Sequence, residues 1–177
     1  MSQSNETYTP TAIRLHWLMA ALLVIAFAVG HYMSDLELSP WKIKVFAWHK
    51  WLGITLFLLL LVRLLWRAGH RPPALPATMS VPLKRLTGLA HGALYLLMVV
   101  IPITGWLHSS AAGISVVYLN LIPLPDLVPK DKALSEAFEN IHAGLNWAFM
   151  VLVLGHVAAA LKHQWLDKDH LLERMRP

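Results

Sequence analysis

Cysteine is absent from this sequence of 177 residues, and charged residues are scarce. Without cysteine the chain can form no disulfide, no iron–sulfur cluster and no thiolate zinc site, and it has no C-x-x-C-H motif for attaching a c-type haem. Only 14% of the residues are charged whereas 56% are apolar, a balance typical of membrane proteins. Any bound metal would therefore be held mainly by nitrogen, which ten histidines supply.

The motifs of several common enzyme classes are also missing. The sequence contains no Walker loop, no H-E-x-x-H helix and no G-x-S-x-G turn. Its formal net charge of +5 comes mostly from Lys and Arg at the ends of apolar segments. This charge therefore reflects membrane topology and does not indicate a nucleic-acid partner.

Four long apolar segments predict an all-α integral membrane protein, a four-helix bundle that forms a single domain over residues 1–177. The predicted helices cover about residues 11–33, 41–66, 83–110 and 133–165. Each is long enough to cross about 30 Å of hydrocarbon. Proline-rich connections over residues 67–82 and 113–132 separate the later helices.

Lys and Arg are distributed unequally between the two sides of these helices. Ten of the fifteen lie on the side that holds both termini and the loop over residues 67–82, and five lie on the other side. By the positive-inside rule, both termini are predicted to be cytoplasmic.

The last predicted helix carries His142 and His156 within the apolar stretch from Asn140 to His163. At about 100° and 1.5 Å per residue, these two imidazoles lie within roughly 40° of one face and about 21 Å apart along the axis. An ionisable side chain inside a membrane is costly and indicates a functional site. Two such sites at two depths favour two redox cofactors and an electron path.

Two other histidines lie at matching depths. His16, near the start of the first helix, lies at the same inner depth as His156. His49, on the second helix, lies at the same outer depth as His142. The pairs predict two bis-imidazole sites suited to b-type haem. One turn after three of these histidines stands a small residue, which leaves room for a flat ring. Small residues in membrane helices also serve helix packing. After His142 the equivalent residue is Asn146, which fits less well. The small residues are Ala20, Gly53 and Ala160.

The remaining histidines compete with these four. His91 and His108 also lie at an inner and an outer level, but their spacing puts them about 100° apart around the third helix. We expect His91 to line the inner pocket. His163, on nearly the same face as His156, either hydrogen-bonds a quinone head group or caps the helix in water. Four histidines are expected to be ordinary interfacial or solvated residues: His31, His70, His108 and His170.

Several short stretches along nearly the whole chain form a combined pattern. They are Leu15-His16-Trp17-Leu18, His49 followed by Gly53, Val62-Arg63-Leu64-Leu65-Trp66-Arg67, Gly88-Leu89-Ala90-His91, Tyr95-Leu96-Leu97, Gly155-His156, Ala160-Leu161-Lys162-His163, Asp167-Lys168-Asp169 and Arg174-Met175. In these stretches the sequence resembles the bacterial cytochrome b561 family of di-haem membrane proteins. It is more distantly similar to the b-type cytochrome subunits of formate dehydrogenases and nickel–iron hydrogenases.

The resemblance implies two b haems, one held by His16 with His156 and the other by His49 with His142. One family member oxidises superoxide on the periplasmic side and passes electrons to ubiquinone. By similarity, we expect a superoxide:ubiquinone oxidoreductase in the bacterial inner (cytoplasmic) membrane. The sequence also looks like a subgroup whose members accompany a periplasmic lipid-binding partner.

On this hypothesis, three lysines at the outer end attract a small anionic donor; the alternative is that they serve only as interfacial anchors. These are Lys42, Lys44 and Lys50. At the inner end, His91, His163 and Arg63 are predicted to orient the carbonyl oxygens of the quinone. The expected partners are membrane lipid, quinone, and superoxide or a periplasmic redox partner.

Two alternatives stay open from the residues. The first is an electron-transfer module that exchanges electrons between quinone and a redox partner without a substrate of its own. The second is a histidine-lined metal carrier without haem. Turnover with superoxide alone distinguishes the enzyme from the module, and a b-type spectrum excludes the metal carrier.

Overall fold

The computed structural model describes residues 7–169 and 171–176, so that His170 lies outside the described residues. The described chain consists mainly of four α-helices: α1 (Pro10–Ser34), α2 (Pro40–Gly69), α3 (Val81–Ala111) and α4 (Lys132–Trp165). A short 3-10 helix, Leu171–Met175, follows α4. The predicted all-α architecture with four long helices is confirmed.

The helices begin one or two residues before their predicted starts and end within three residues of their predicted ends. Side-chain caps explain three of the starts. Thr9, Ser39 and Asp131 each accept a hydrogen bond from the backbone N–H three residues further on, which satisfies one of the free donors of a first helical turn. Pro10 and Pro40 then occupy the first helical position, where a missing N–H costs nothing.

A small hairpin interrupts the connection between α3 and α4, which the sequence predicted only as a loop. Strand β1 (Val117–Tyr118) pairs antiparallel with β2 (Ile122–Pro123). The turn between them holds Leu119 and Asn120 at φ of 52° and 59°. Two consecutive positive φ values are the geometry of a tight hairpin turn, but the usual Asn-Gly signal for it is missing.

All four helices are long and apolar enough to cross a membrane. Many of their large apolar side chains are exposed in the isolated chain, among them Val24, Leu65, Leu89 and Val151. Such a surface is stable in lipid, where each helix satisfies its own backbone hydrogen bonds. The protein is therefore a multi-pass membrane protein.

The helices pack in the order α1, α2, α3, α4. A small core of Met19, Leu56 and Leu60 joins α1 to α2, and α3 packs closely against both α2 and α4. Within the described chain, the backbone of α4 makes few close approaches to α1 or α2. Side chains cross this gap instead, for example the rings of Phe27 and Trp147, whose centres are 5.5 Å apart.

Both ends of the described chain meet at one end of the bundle, which we call the termini end. The Tyr8 N–H donates to the Arg174 carbonyl at 3.2 Å, and Trp17 Nε1 donates to the Met175 carbonyl at 2.7 Å. Arg174 Nη1 also donates to the carbonyl of Ala74, in the proline-rich loop, at 2.7 Å. The opposite end, with residues 35–39 and 112–131, is called the far end.

Candidate functional site

Four histidines from three helices form two imidazole pairs. His16 of α1 faces His156 of α4 toward the termini end, with ring centres 6.2 Å apart and planes 72° apart. His49 of α2 faces His142 of α4 toward the far end, with ring centres 6.2 Å apart and planes 89° apart. We call these the near pair and the far pair. The structure thus brings together the same histidines that depth along the helices paired.

The separation within each pair can be compared with that of two imidazoles on one metal ion. A metal–imidazole bond of about 2 Å, plus roughly 1 Å from the nitrogen to the ring centre on each side, separates two opposed rings by about 6 Å. The observed 6.2 Å in both pairs matches this value. The residues present therefore fit an iron porphyrin held between two imidazoles.

Hydrogen bonds fix the tautomer of His142 in the far pair. Its Nδ1 lies 2.9 Å from the Ile101 carbonyl and 3.1 Å from Thr104 Oγ1. Because a carbonyl oxygen only accepts, Nδ1 must carry the proton, which leaves the Nε2 lone pair of the neutral ring free to bind a metal. Such hydrogen bonds orient a ligand ring and raise its basicity.

Two glycines from neighbouring helices lie against the rings of the far pair. A Cβ atom on Gly30 of α1 would lie 2.9 Å from His49 Cε1, and one on Gly105 of α3 would lie 3.0 Å from His142 Cε1. Any larger residue would push the ring aside. Sequence analysis missed both glycines because it considered small residues on the same helix as each histidine, and these two lie on other helices.

The other member of the far pair, His49, has an unpartnered ring nitrogen. Its Nδ1 is buried and forms no hydrogen bond within the described chain, and the backbone of Ala26 is near but outside hydrogen-bonding geometry. One turn further along α2, a Cβ on Gly53 would meet no atom within 4 Å. A buried ring nitrogen without a partner among the described residues, together with open space at Gly53, fits the binding of a ring-shaped cofactor.

The near pair has a more polar neighbourhood. The His91 ring of α3 lies 5.4 Å from that of His156, so this predicted pocket residue does lie beside the near pair. Arg63 Nε donates to Tyr95 Oη at 3.0 Å. A third imidazole and a fixed guanidinium group thus distinguish this end of the site from the far pair.

His163 does not join this group. Its Nδ1 donates to Asp169 Oδ2 at 2.7 Å and lies 3.2 Å from Asp167 Oδ2. It lines a cavity of about 360 Å³ together with Thr78 and Ser80, whereas Arg63 lines a different cavity. The three residues predicted to contact the quinone are therefore divided between two places at the termini end.

The three lysines predicted at the donor side all lie on the first turns of α2, at the far end. Lys42 Nζ donates to the Leu36 carbonyl at 2.6 Å, so that its ammonium group is already engaged. Lys44 is exposed. Lys50 follows His49 directly, which places it about 100° around the helix from the imidazole.

The remaining described histidines have ordinary partners. His108 Nδ1 donates to the Ser135 carbonyl at 3.0 Å and so joins α3 to α4. His70 stacks on Trp66, with ring centres 4.0 Å apart, and His31 lies near the Trp147 ring. None of these three takes part in either imidazole pair.

Four membrane-spanning helices with imidazoles paired at two levels define a membrane cytochrome of the b type. Comparison with known families agrees, because the sequence profile described as "Prokaryotic cytochrome b561" matches residues 7–177. The chain belongs to the prokaryotic cytochrome b561 family. Membership implies that this multi-pass bacterial membrane protein binds haem b and transfers electrons, which excludes the haem-free metal carrier.

Individual relatives cover nearly the whole chain. "Cytochrome b561 homolog 2" of Escherichia coli (strain K12) is 36% identical over 179 residues, covering 99% of this chain and 95% of the relative. "Probable superoxide oxidase CybB" of Yersinia pestis is 28% identical over 182 residues, covering 98% and 97%. "Cytochrome b561 homolog 1" of Escherichia coli (strain K12) is 26% identical over 179 residues, covering 96% and 97%.

Proposed function

We propose that this protein is a di-haem superoxide:ubiquinone oxidoreductase of the bacterial inner membrane. The near pair, His16 and His156, would hold one haem b, and the far pair, His49 and His142, the other. The observation that carries the proposal is the shared ring separation of 6.2 Å at two levels of one bundle. Two haem sites stacked across the lipid would allow electrons to cross it.

The proposed reaction balances as two one-electron oxidations coupled to one two-electron reduction. Two superoxide ions each lose an electron to give two O₂, and one ubiquinone takes up both electrons and two protons to give ubiquinol. Haem b, when bound, supplies a centre that accepts and gives up one electron at a time. The protein must therefore hold that centre, admit the donor at one end and deliver protons at the other.

The distribution of charge supports an orientation for this reaction. Ten of the fifteen Lys and Arg residues belong to the termini end, so we place that end in the cytoplasm and the far end in the periplasm. The far end has five basic and six acidic residues, so its net charge does not attract an anion. Any attraction of superoxide must come from a local group of lysines. Lys44 and Lys50, whose ammonium groups have no hydrogen-bond or ion-pair partner among the described residues, would supply it.

Quinone reduction is assigned to the termini end. His91 and Arg63 lie beside the near pair and can donate hydrogen bonds to quinone oxygens. The hydrogen bond from His163 Nδ1 to Asp169 fixes the ring tautomer, which suits His163 to carrying a proton from water. The cavity of about 360 Å³ beside His163 is open to the cytoplasmic surface in this orientation.

A second function stays open because the relative with the higher identity has a name that states no superoxide activity. Identity is higher to "Cytochrome b561 homolog 2", at 36%, than to "Probable superoxide oxidase CybB", at 28%. The alternative is a module that exchanges electrons between quinone and a periplasmic or membrane redox partner, with no substrate of its own. Its haem sites and topology would be the same.

The test is electron transfer by the purified protein in vesicles that contain ubiquinone. Superoxide generated outside should reduce the haems rapidly and form ubiquinol over many turnovers. His142→Ala should abolish turnover because the far site loses a ligand, and Lys44→Gln with Lys50→Gln should lower the rate at low salt only. Rapid reduction of the haems by added ubiquinol, without turnover on superoxide, would instead identify the partner-dependent module.

A further inference from the structure

A second, smaller cavity lies at the termini end, between the start of α1, the end of α2 and the middle of α3. Its volume is about 60 Å³. Since one water needs on the order of 10–15 Å³ on this measure, the cavity has room for a group of several atoms, such as a phosphate or a carboxylate. The residues that matter in its lining are Thr9, Arg63, Arg67, His70, Arg71 and Tyr95.

Among the described residues the lining is strongly basic. Arg63, Arg67 and Arg71 all contribute to it, and no aspartate or glutamate of residues 7–169 or 171–176 does. Among the ion pairs of the described residues, none involves these three arginines. Three unpaired guanidinium groups around one small cavity repel one another, and an anion between them would relieve that repulsion.

Two of the three guanidinium groups lie against an aromatic ring. Arg63 and Arg67 both lie against Tyr95, at 6.0 Å and 5.7 Å from the ring centre, and Arg63 Nε donates to Tyr95 Oη. This bond uses one of the five N–H donors of Arg63. The others are free to bind oxygen atoms in the planar, bidentate manner that suits phosphate and carboxylate.

The start of α1 adds to the positive potential. Thr9 caps this helix of 25 residues and accepts a hydrogen bond from Trp66 Nε1 at 2.9 Å, which ties the helix start to the end of α2. His70 stacks on the same Trp66. The positive end of the helix dipole therefore lies at the same cavity as the arginines.

We propose that this cavity is an oxyanion-binding site that holds a phosphate or a carboxylate group between the three arginines. Two sources of such a group exist at this depth: the head group of an anionic phospholipid and the carboxylates of a haem in the near site. The site would fix the contact between α1 and α2 when filled. This inference does not depend on the substrate or on the direction of electron flow.

The experiment compares two double variants that each remove two positive charges from the termini end. The cavity variant, Arg67→Gln with Arg71→Gln, removes two guanidinium groups from the lining. The control variant is Lys84→Gln with Arg85→Gln, because neither of these residues lines the cavity. Holoprotein in mild detergent is loaded with phosphatidylglycerol and analysed by native mass spectrometry. Haem content and the potential of each haem are measured on the same samples.

If the site holds a lipid phosphate, the cavity variant should retain about tenfold less phosphatidylglycerol than the wild type, because each arginine contributes to binding anionic lipid. The control variant should retain more phosphatidylglycerol than the cavity variant. If it holds a haem carboxylate, lipid retention should match the control while the potential or content of one haem changes only in the cavity variant. Either result supports the oxyanion site. Equal lipid retention and equal haem properties in the two variants would overturn it.

A third variant distinguishes loss of anion binding from a folding defect. Arg67→Lys with Arg71→Lys keeps the charge but loses the bidentate geometry, so it should fold and still bind the anion less well than the wild type. Helix content by circular dichroism verifies folding. Binding by the lysine variant equal to that of the wild type would contradict the planar arginine site.

Discussion

The near pair and the far pair have the same ring separation but different surroundings. The rings of the far pair are confined by Gly30 and Gly105, and His142 is held by backbone and hydroxyl oxygens. The near pair instead lies beside a third imidazole and close to a cluster of arginines. The shared spacing fits two imidazoles on one metal ion in both pairs, whereas the neighbours determine the rigidity and the electrostatics of each pair.

The largest expected effect distinguishes a proposed haem ligand, His49, from a residue that only lies beside a pair, His91. His49→Ala should remove one of two haems, because a single remaining imidazole binds the iron far more weakly. His91→Ala should leave both haems in place and change only the properties of the near one. Pyridine haemochrome assays and reduced-minus-oxidised spectra of the two variants measure this; loss of a haem from His91→Ala would mean that the near pair is wrongly assigned.

The next effect tests the confinement of the far pair. Gly30→Ala places a Cβ 2.9 Å from His49 Cε1, and since the ring cannot move while it binds a metal, we expect a destabilisation of about 1–3 kcal/mol and reduced haem in the far site. The measurements are thermal unfolding and haem content.

Gly88→Ala is the matched control, because a Cβ there meets no atom within 4 Å. It should be neutral or slightly stabilising, since alanine favours a helix. Equal behaviour of the two variants would show that Gly30 does not confine the ring.

A smaller effect concerns the hydrogen bonds of His142. Thr104→Val removes the hydroxyl 3.1 Å from Nδ1 while the Ile101 carbonyl remains. We expect a loss of stability of about 1 kcal/mol and a rise in the potential of the far haem, because its ligand becomes less basic. Redox titration should find the near haem unchanged, and Thr87→Val, whose hydroxyl bonds only the Leu83 carbonyl, should shift neither.

The smallest effect is a pH dependence at the termini end. A hydrogen bond from Lys162, together with the positive charges of Lys162 and His163, lowers the pKa of Asp167 below its usual value of 3.8. Because the folded pKa lies below the unfolded one, the stabilisation is present above about pH 4 and is lost as the pH falls through the folded pKa. The difference in thermal unfolding between wild type and Asp167→Asn should therefore be small at pH 7 and vanish once the pH has fallen below the folded pKa.

The exposed pair of Lys132 and Glu136 at the far end offers a comparison, since its charged atoms are 3.7 Å apart. Glu136→Gln should have a still smaller effect at neutral pH. A difference for Asp167→Asn that grows as the pH falls would contradict the direction of the pKa shift.

Much of the fold could be predicted from the sequence because membrane helices have strong signals. Long apolar runs and capping residues such as Ser39 and Asp131 determine the helices and their ends. The histidine pairs were predicted from depth, since four spans that alternate in direction place His16 with His156 and His49 with His142 at equal heights. Helical periodicity was enough because both partners on α4 share one face.

The surroundings of the histidines could not be predicted in the same way. Gly30, Gly105 and Thr104 act on rings of other helices, and such contacts depend on helix rotation and packing that a single sequence does not encode in its periodicity. The division of Arg63 and His163 between two cavities also depends on where the residues after α4 fold back. The β1–β2 hairpin lacked the usual turn residues at Leu119 and Asn120.

One helix contributes an imidazole to both pairs, and this has a mechanical consequence. With cofactors bound at two heights, α4 is pinned at two points about 21 Å apart, so that it cannot rotate or slide without straining both attachments together. Losing one attachment would leave the other as a pivot. We therefore expect the half-loaded protein to be more mobile along α4 than the fully loaded one. The first cofactor would set the alignment of α4, and the remaining mobility would make insertion of the second cofactor easier.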